Sequence, residues 1–246
     1  MVSRKDYDCV TLEKDDDGIA WVTLNRPEKR NAMSPQLHYD MENVMMGLET
    51  DDEVQVIVLT GAGDSWSAGM DLREYFRATD NDPTAQFRSF MANKHWSWEI
   101  LAHSRKATIA MVNGYAVGGG NVIALMCDLT IASAKAVFRQ VGPAMGSFDA
   151  GFGTWYLEDL VGKKRAKDIW YTNPKISSAE ALSMGLINRV VADHALALLL
   201  ALTRNLHLVL SEGSDGAVPR PVELNGKTAL IVGLGGVGMS IAERAA

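Results

Sequence analysis

Three consecutive glycines, Gly118-Gly119-Gly120, stand between an apolar β-prone run, Thr108 to Val112, and a stretch from Asn121 to Cys127 that reads as a helix. Glycine lets the backbone turn sharply and lets a ligand come close to it. The first N–H groups of a new helix have no intrahelical acceptor, and the positive end of the helix dipole lies behind them. Such a turn suits negative charge developing on a carbonyl oxygen; it is equally the form of a tight strand-to-helix turn that binds nothing. A second apolar run, Val54 to Thr60, ends in Gly61-Ala62-Gly63-Asp64-Ser65-Trp66-Ser67-Ala68-Gly69-Met70-Asp71. Two strands, each ending in a loop of small residues, could supply one backbone donor apiece to a single oxygen.

Three segments in this order, Asn25-Arg26-Pro27-Glu28-Lys29-Arg30-Asn31-Ala32, Ser67-Ala68-Gly69-Met70-Asp71 and Asn113-Gly114-Tyr115-Ala116-Val117-Gly118-Gly119-Gly120, carry a family resemblance. Over roughly residues 5 to 192 the chain resembles the crotonase (enoyl-CoA hydratase/isomerase) superfamily. The resemblance implies a fold of stacked ββα turns and binding of acyl-CoA thioesters. It also implies an oxyanion hole formed by the backbone N–H groups of Met70 and Gly119.

Chemistry in this family is set by a few side chains. Hydratases resembling this chain carry glutamates at the positions of Val122 and Gly142, and neither carboxylate is present here. Val122 cannot move a proton and Gly142 has no side chain, so simple hydration of an enoyl-CoA is not expected. The runs Gln140-Val141-Gly142-Pro143, Met145-Gly146-Ser147-Phe148-Asp149, Gly151-Phe152-Gly153 and Lys163 to Tyr171 are similar to another subgroup. It comprises the 1,4-dihydroxy-2-naphthoyl-CoA synthases and the 2-ketocyclohexanecarboxyl-CoA hydrolases. There a bound bicarbonate can replace the missing carboxylate, and Gln140, the Gly142 backbone and Trp170 match the positions that hold it. Gly142 leaves room, and the Gln140 amide and Trp170 indole N–H can donate to an anion. By the same resemblance Asp149 is the side-chain acid/base, with Ser147 orienting it or the substrate. A lone Asp in a glycine-rich loop is otherwise a carboxylate fixing an Asx-turn beside Gly151, and Trp170 is otherwise core packing.

The first seventy-odd residues are similar to a different relative, the hydroxycinnamoyl-CoA hydratase-lyases, through Asn31-Ala32-Met33-Ser34-Pro35 and Ala68 to Arg77. That likeness places Lys29, Ala68, Met70 and Leu72 against the CoA, with Asp71 in the same run. It places Tyr75 at the phenolic end of the substrate. Arg139, where relatives commonly have glycine, would crowd the pocket or offer a cation to an acid-bearing substrate. The expected chemistry is carbon–carbon bond making or breaking beside a thioester, as Dieckmann-type ring closure or hydrolytic ring opening. No tightly bound cofactor is implied beyond the CoA thioester substrate and bicarbonate.

Past Val191 the pattern changes. Glu223 to Gly238 is similar to the start of the nucleotide-binding domain of a D-2-hydroxyacid dehydrogenase, with Gly233, Gly235 and Gly238 forming a G-x-G-x-x-G between a strand and a helix. The acidic residue expected about 20 positions later has no room before Ala246. One βα unit cannot bury both faces of a parallel strand. The tail therefore reads as an incomplete dinucleotide-binding segment, and NAD is not expected to bind. The functional readings that follow are an acyl-CoA enzyme of this carbon–carbon bond kind, a catalytically impaired chimeric CoA-binding module or an enoyl-CoA hydratase/lyase as alternatives, and, last, a nicotinamide-dependent oxidoreductase.

The elements that must position these residues are legible around them. Val10 to Glu13 and Ile19 to Leu24 flank Asp15-Asp16-Asp17-Gly18, a hairpin. Leu37, Met41, Val44, Met45 and Leu48 recur at helical spacing within Pro35 to Leu48 and mark a core-facing stripe. Ala85 to Leu101 reads as a second helix, its Trp96 and Trp98 facing packing or the acyl pocket. Thr79 to Pro83 reads as a polar loop, and Ser177-Ser178-Ala179-Glu180 as a capping box. The fold class expected is α/β: a crotonase-like stacked ββα superhelix over 1–192, followed by a truncated Rossmann-like βα fragment over 193–246.

The composition narrows the function classes. The chain has 246 residues, of which 47% are hydrophobic, enough for a sizeable core, and a net charge of −6 with no basic stripe, which argues against nucleic acid. Two cysteines, Cys9 and Cys127, make no disulfide framework, and the five histidines show no metal-ligand spacing. The N-terminus lacks an apolar signal region, and Ala195 to Leu202 is too short to span a membrane. A cytoplasmic enzyme is expected, with the family's homotrimer or hexamer as its assembly.

Overall fold

The computed structural model describes residues 3–78, 80–147 and 153–191. Asp149, Gly151, Phe152 and the whole segment 193–246, with Gly233, Gly235 and Gly238, lie outside the described residues. Strands β1 (Ser3–Asp6), β2 (Val10–Lys14) and β3 (Ile19–Leu24) pair antiparallel in sequence. Asp15 closes the β2–β3 turn by accepting from the N–H groups of Asp17 and Ile19, while Gly18 takes a φ of 77°. Helix α1 (Pro35–Glu49) opens at Ser34, whose hydroxyl accepts from Leu37 N–H, and buries Leu37, Met41, Val44, Met45 and Leu48. His38 and Asp40 are buried on the same helix.

A repeating unit follows. Strand β4 (Val56–Gly61) enters the large sheet and β5 (Ser65–Ser67) the small one. Helix α2 (Pro83–Asn93), capped by the Asp82 side chain, runs into a π-helical turn, Lys94–Ile100, and a short 3-10 turn, Leu101–His103. The single helix expected over Ala85 to Leu101 is thus in three parts, and Asp82, expected in a plain loop, is its cap. Next come β6 (Ala107–Val112), β7 (Tyr115–Val117) and α3 (Gly119–Met126), then β8 (Leu129–Ser133) and β9 (Val137–Arg139). Helices α4 (Gly153–Val161) and α5 (Lys163–Thr172) lead to β10 (Ile176–Ser177), α6 (Ser178–Ser183) and β11 (Arg189–Val191). The capping box at the start of α6 is present in both directions, Ser177 and Glu180 satisfying each other's backbone N–H.

The large sheet has the order β1-β2-β3-β4-β6-β8-β11 and the small one β10-β9-β7-β5. From β3 onward the large sheet is parallel, as are β5, β7 and β9. Each turn of chain therefore gives one strand to each sheet, the stacked ββα arrangement expected from the sequence. Parallel strands covered on both faces read as continuous apolar runs, which is why β4 and β6 are so plain in the sequence. The core between the layers is filled by Met41, Met45, Leu59, Trp66, Trp96 and Phe138, all essentially inaccessible. Among the described residues no helix is long and apolar enough to cross a membrane.

Candidate active site

The ends of β5 and β7 meet where the sequence places its two small-residue loops. Met33 and Met70 form an isolated parallel bridge. Met33 N–H donates to the Gly69 carbonyl at 2.8 Å, and Asp71 N–H donates to the Met33 carbonyl at 2.9 Å. In a parallel bridge these contacts come from the residues on either side of Met70, so the Met70 N–H itself points away from Met33. Gly119 is the first residue of α3, preceded by Gly118 at a φ of 53°, and its N–H has no intrahelical acceptor. The two loops touch through their backbones. A Cβ on Gly69, whose φ is 87°, would stand 2.6 Å from the Val117 carbonyl oxygen and 3.2 Å from the Gly119 nitrogen. One on Gly119 would lie 3.7 Å from both Cγ and Sδ of Met70. Met70 and Gly119 are thus neighbours although 49 residues apart.

Two buried asparagines lock this junction. Asn31, in a left-handed conformation at φ 55°, accepts from Arg26 N–H and donates to the carbonyls of Ala62 and Ser65. Asn113 donates to the carbonyls of Gly61 and Gly63. Ser67 donates to the Asn31 carbonyl and accepts from Gly69 N–H, which fixes the backbone just before Met70. Asn31 and Asn113 lie inside the sequence motifs, but the only local signal of their role is an amide side chain beside a turn.

Of the residues placed against CoA, Lys29 and Leu72 are exposed at the loop rims, and Ala68 hydrogen-bonds through its N–H to the Arg30 carbonyl. Asp71 is buried and engaged on both oxygens. One accepts from the N–H groups of Arg73 and Glu74, and the other lies 3.3 Å from Arg26 Nη1. Burial alone would raise its carboxyl pKa, but those N–H groups and the guanidinium outweigh it and hold the group below the usual range. Arg26 also reaches Glu74 at 2.8 Å and the Ala32 carbonyl at 2.6 Å. Asp71 therefore anchors the loop that carries Met70. Tyr75 is half-buried against His38, and burial raises its phenol pKa.

On the far side of Gly119 the helix continues into Val122, whose side chain is buried in the core. Gly142 opens a 3-10 turn, Gly142–Met145, directly beneath Trp170 of α5. A Cβ on Gly142 would be 3.3 Å from the indole ring and equally close to the Ser147 carbonyl oxygen. Ser147 N–H donates to the Gly142 carbonyl at 3.0 Å, so Gly142, Ser147 and Trp170 are brought together. Trp170 Nε1 is buried and without a hydrogen-bond partner among the described residues. Gln140 is buried, and its Oε1 accepts from Asn121 at 3.0 Å. Arg139 turns to the Asn173 side chain at the end of α5, with Nε 2.7 Å from Oδ1. Cys9 and Cys127 are both free and buried, and burial raises both thiols.

Residues 14–209 match the family model described as enoyl-CoA hydratase/isomerase. The chain belongs to the enoyl-CoA hydratase/isomerase family. Its stacked ββα turns are the crotonase fold, and the family consists of enzymes acting on acyl-CoA. Among solved structures it is similar to a putative enoyl-CoA hydratase from Thermobifida fusca in complex with acetoacetyl-CoA. The two are 33% identical over 82% of each chain, with a TM-score of 0.72. A probable enoyl-CoA hydratase/isomerase from Mycobacterium abscessus is 30% identical, covering 83% of this chain and 76% of its own, at the same TM-score. An enoyl-CoA hydratase from Thermoplasma volcanium is 28% identical, covering 84% and 79%, again at 0.72.

Proposed function

We propose that this member of the family carries out enolate chemistry on a CoA thioester and makes or breaks a carbon–carbon bond, rather than hydrating an enoyl-CoA. One observation carries the reading: a core valine and a glycine packed under Trp170 stand where hydratases resembling this chain carry glutamates. Glu at Gly142 would have to share its space with the indole. The backbone N–H groups of Met70 and Gly119 hold the thioester oxygen as it gains charge, each such donor contributing about 3 kcal/mol to lowering the barrier. A base removes the proton α to the thioester carbonyl. The enolate attacks a carboxyl carbonyl of the same molecule, Asp149 protonates the tetrahedral alkoxide formed, and loss of water leaves the cyclic β-keto thioester. Run in reverse with water, the same groups open a cyclic β-keto thioester.

Bicarbonate fits the residues present, because the Trp170 indole N–H is a buried donor with no acceptor among the described residues and the Gln140 amide can donate to an anion. Gln140, the Gly142 backbone and Trp170 would hold it, and it would supply a proton acceptor where the carboxylate is missing. Lys29, Ala68, Asp71 and Leu72 form or support the CoA-binding rim, and Ser147 orients Asp149 or the substrate. Residues 1–192 act as the acyl-CoA domain, in a trimer or hexamer, and 193–246 contribute no NAD chemistry.

Calorimetric titration with acetoacetyl-CoA, with NADH in parallel, tests the binding half of this reading. Saturable thioester binding without an NADH signal is the expected outcome. Turnover of cyclic β-keto thioesters, with and without bicarbonate, tests the chemistry. Asp149→Asn is expected to abolish turnover while leaving thioester affinity in place; unchanged turnover would remove Asp149 from the mechanism.

A further inference from the structure

Of Gln36, Gln55, Gln86 and Gln140, only the last is buried. Asn121 fixes which way it faces. Its Nδ2 donates to Gln140 Oε1 at 3.0 Å, and both side chains are almost wholly enclosed. A primary amide carries two donors on its nitrogen and an acceptor on its oxygen. The bond from Asn121 occupies the Gln140 oxygen and turns the nitrogen away from Asn121. If both amides were turned over, one hydrogen bond would still join them, from Gln140 to Asn121, but Gln140 would present its oxygen instead. In the observed orientation the unpaired buried atom is an acceptor, Asn121 Oδ1; in the other it would be the Asn121 nitrogen. An anion bound by Gln140 gains only from the first.

Asn121 is itself held still. It is the third residue of α3, and the turn that opens this helix is tied down on several sides. Val122 N–H donates to the Gly118 carbonyl at 3.1 Å, and Trp66 Nε1 to the Gly120 carbonyl at 2.8 Å. Gly120 lies so close to Ser67 that an added Cβ would stand 2.5 Å from the Ser67 carbonyl oxygen. Gly118 N–H donates to the Arg139 carbonyl at 2.9 Å, so the backbone brings together the two segments whose side chains then meet. Gly142, packed under Trp170, follows Gln140 by two residues. Asn121 thus bridges the helix that begins at Gly119 and the turn against which Trp170 lies.

We propose that Asn121 is a positioning residue for the bicarbonate site: by occupying Gln140 Oε1 it makes Gln140 present N–H rather than oxygen to the anion. Asn121 itself does not touch the ion. This rests on the bicarbonate reading given above and adds to it the residue that sets the polarity of Gln140. An apolar residue of similar volume at 121 keeps the packing and leaves the Gln140 amide free to turn over.

The test is the affinity of carbon-13-labelled bicarbonate for the protein, with and without acetoacetyl-CoA, read from the width of the bicarbonate line. Asn121→Leu is expected to raise the dissociation constant on the order of fivefold to tenfold, with the calorimetric affinity for acetoacetyl-CoA unchanged. Gln140→Leu should weaken bicarbonate at least as much. Adding Asn121→Leu to it should change nothing further, because the one acts only through the other. A merely structural Asn121 would lower the melting temperature and leave the bicarbonate constant where it is. That outcome, or a further loss in the double variant, overturns the proposal and leaves the bicarbonate reading intact. Absence of bicarbonate binding to the wild type overturns both. A readout that needs no variant to fold is the side-chain amide of Gln140 in a nitrogen-15 spectrum of the wild type. Bicarbonate should shift it and leave the amides of Gln36, Gln55 and Gln86 in place; binding without such a shift overturns the proposal.

Discussion

Trp170 and Gly142 act as a pair, because the glycine lets the benzo edge of the indole lie against the turn. Trp170→Phe keeps an aromatic ring and deletes the N–H. A hydrogen bond to a charged group contributes about 1.5–3 kcal/mol. The bicarbonate concentration for half-maximal turnover should therefore rise on the order of tenfold or more, with acetoacetyl-CoA affinity unchanged. An unchanged bicarbonate response would leave Trp170 as packing alone. Gly69 offers a second test at single-residue scale. Its φ of 87° and its closeness to the Val117 carbonyl both oppose a side chain. Gly69→Ala should cost about 2 kcal/mol or more in urea unfolding and weaken thioester binding by displacing the Met70 N–H.

Helix α1 shows how an element is specified and where it has slack. Ser34 caps it, and Ser34→Ala should cost about 1 kcal/mol, a fall of roughly 2–4 °C in melting temperature for a chain of this size. Gly47 lies near its C-terminal end, exposed, with nothing within 4 Å of where an added methyl group would stand. Gly47→Ala should raise stability by about 0.5–1 kcal/mol, measurable as a higher melting temperature. The apolar stripe of α1 was legible residue by residue, since burial of one face imposes the 3.6 period. The segment after α2 was not. Apolar spacing over 85–101 fits one helix, but the chain widens into a π turn there, with Trp96 donating to His38 on α1. A contact between residues 58 apart leaves no mark on local periodicity.

At the scale of the whole molecule, two buried groups tie stability to acid. The unfolded chain takes up a proton at His38 near pH 6.5, which the folded protein refuses until about pH 3. Stability should therefore fall as pH falls through that window, by at most about 1.4 kcal/mol per pH unit. Asp71 is depressed below 3.8 by its N–H and Arg26 partners, so its contribution is present above that pH and lost as pH drops further. Urea midpoints measured against pH should show the upper part of this slope in the wild type and a flatter curve in His38→Asn. Equal slopes would mean that His38 titrates normally in the folded state.

The sequence by itself determined the strands, the helix stripes, the glycine turns and the family, because burial periodicity and backbone conformation are local demands that leave local traces. Val122 and Gly142 are plain to read in it as residues with no carboxylate. Only the tertiary structure decided which groups meet. It set Met70 beside Gly119, tied Asp71 to Arg26, laid Trp170 over Gly142 and joined Asn121 to Gln140. Each of these depends on strands from distant parts of the chain ending at one place, and the energy of such contacts is written in no single segment.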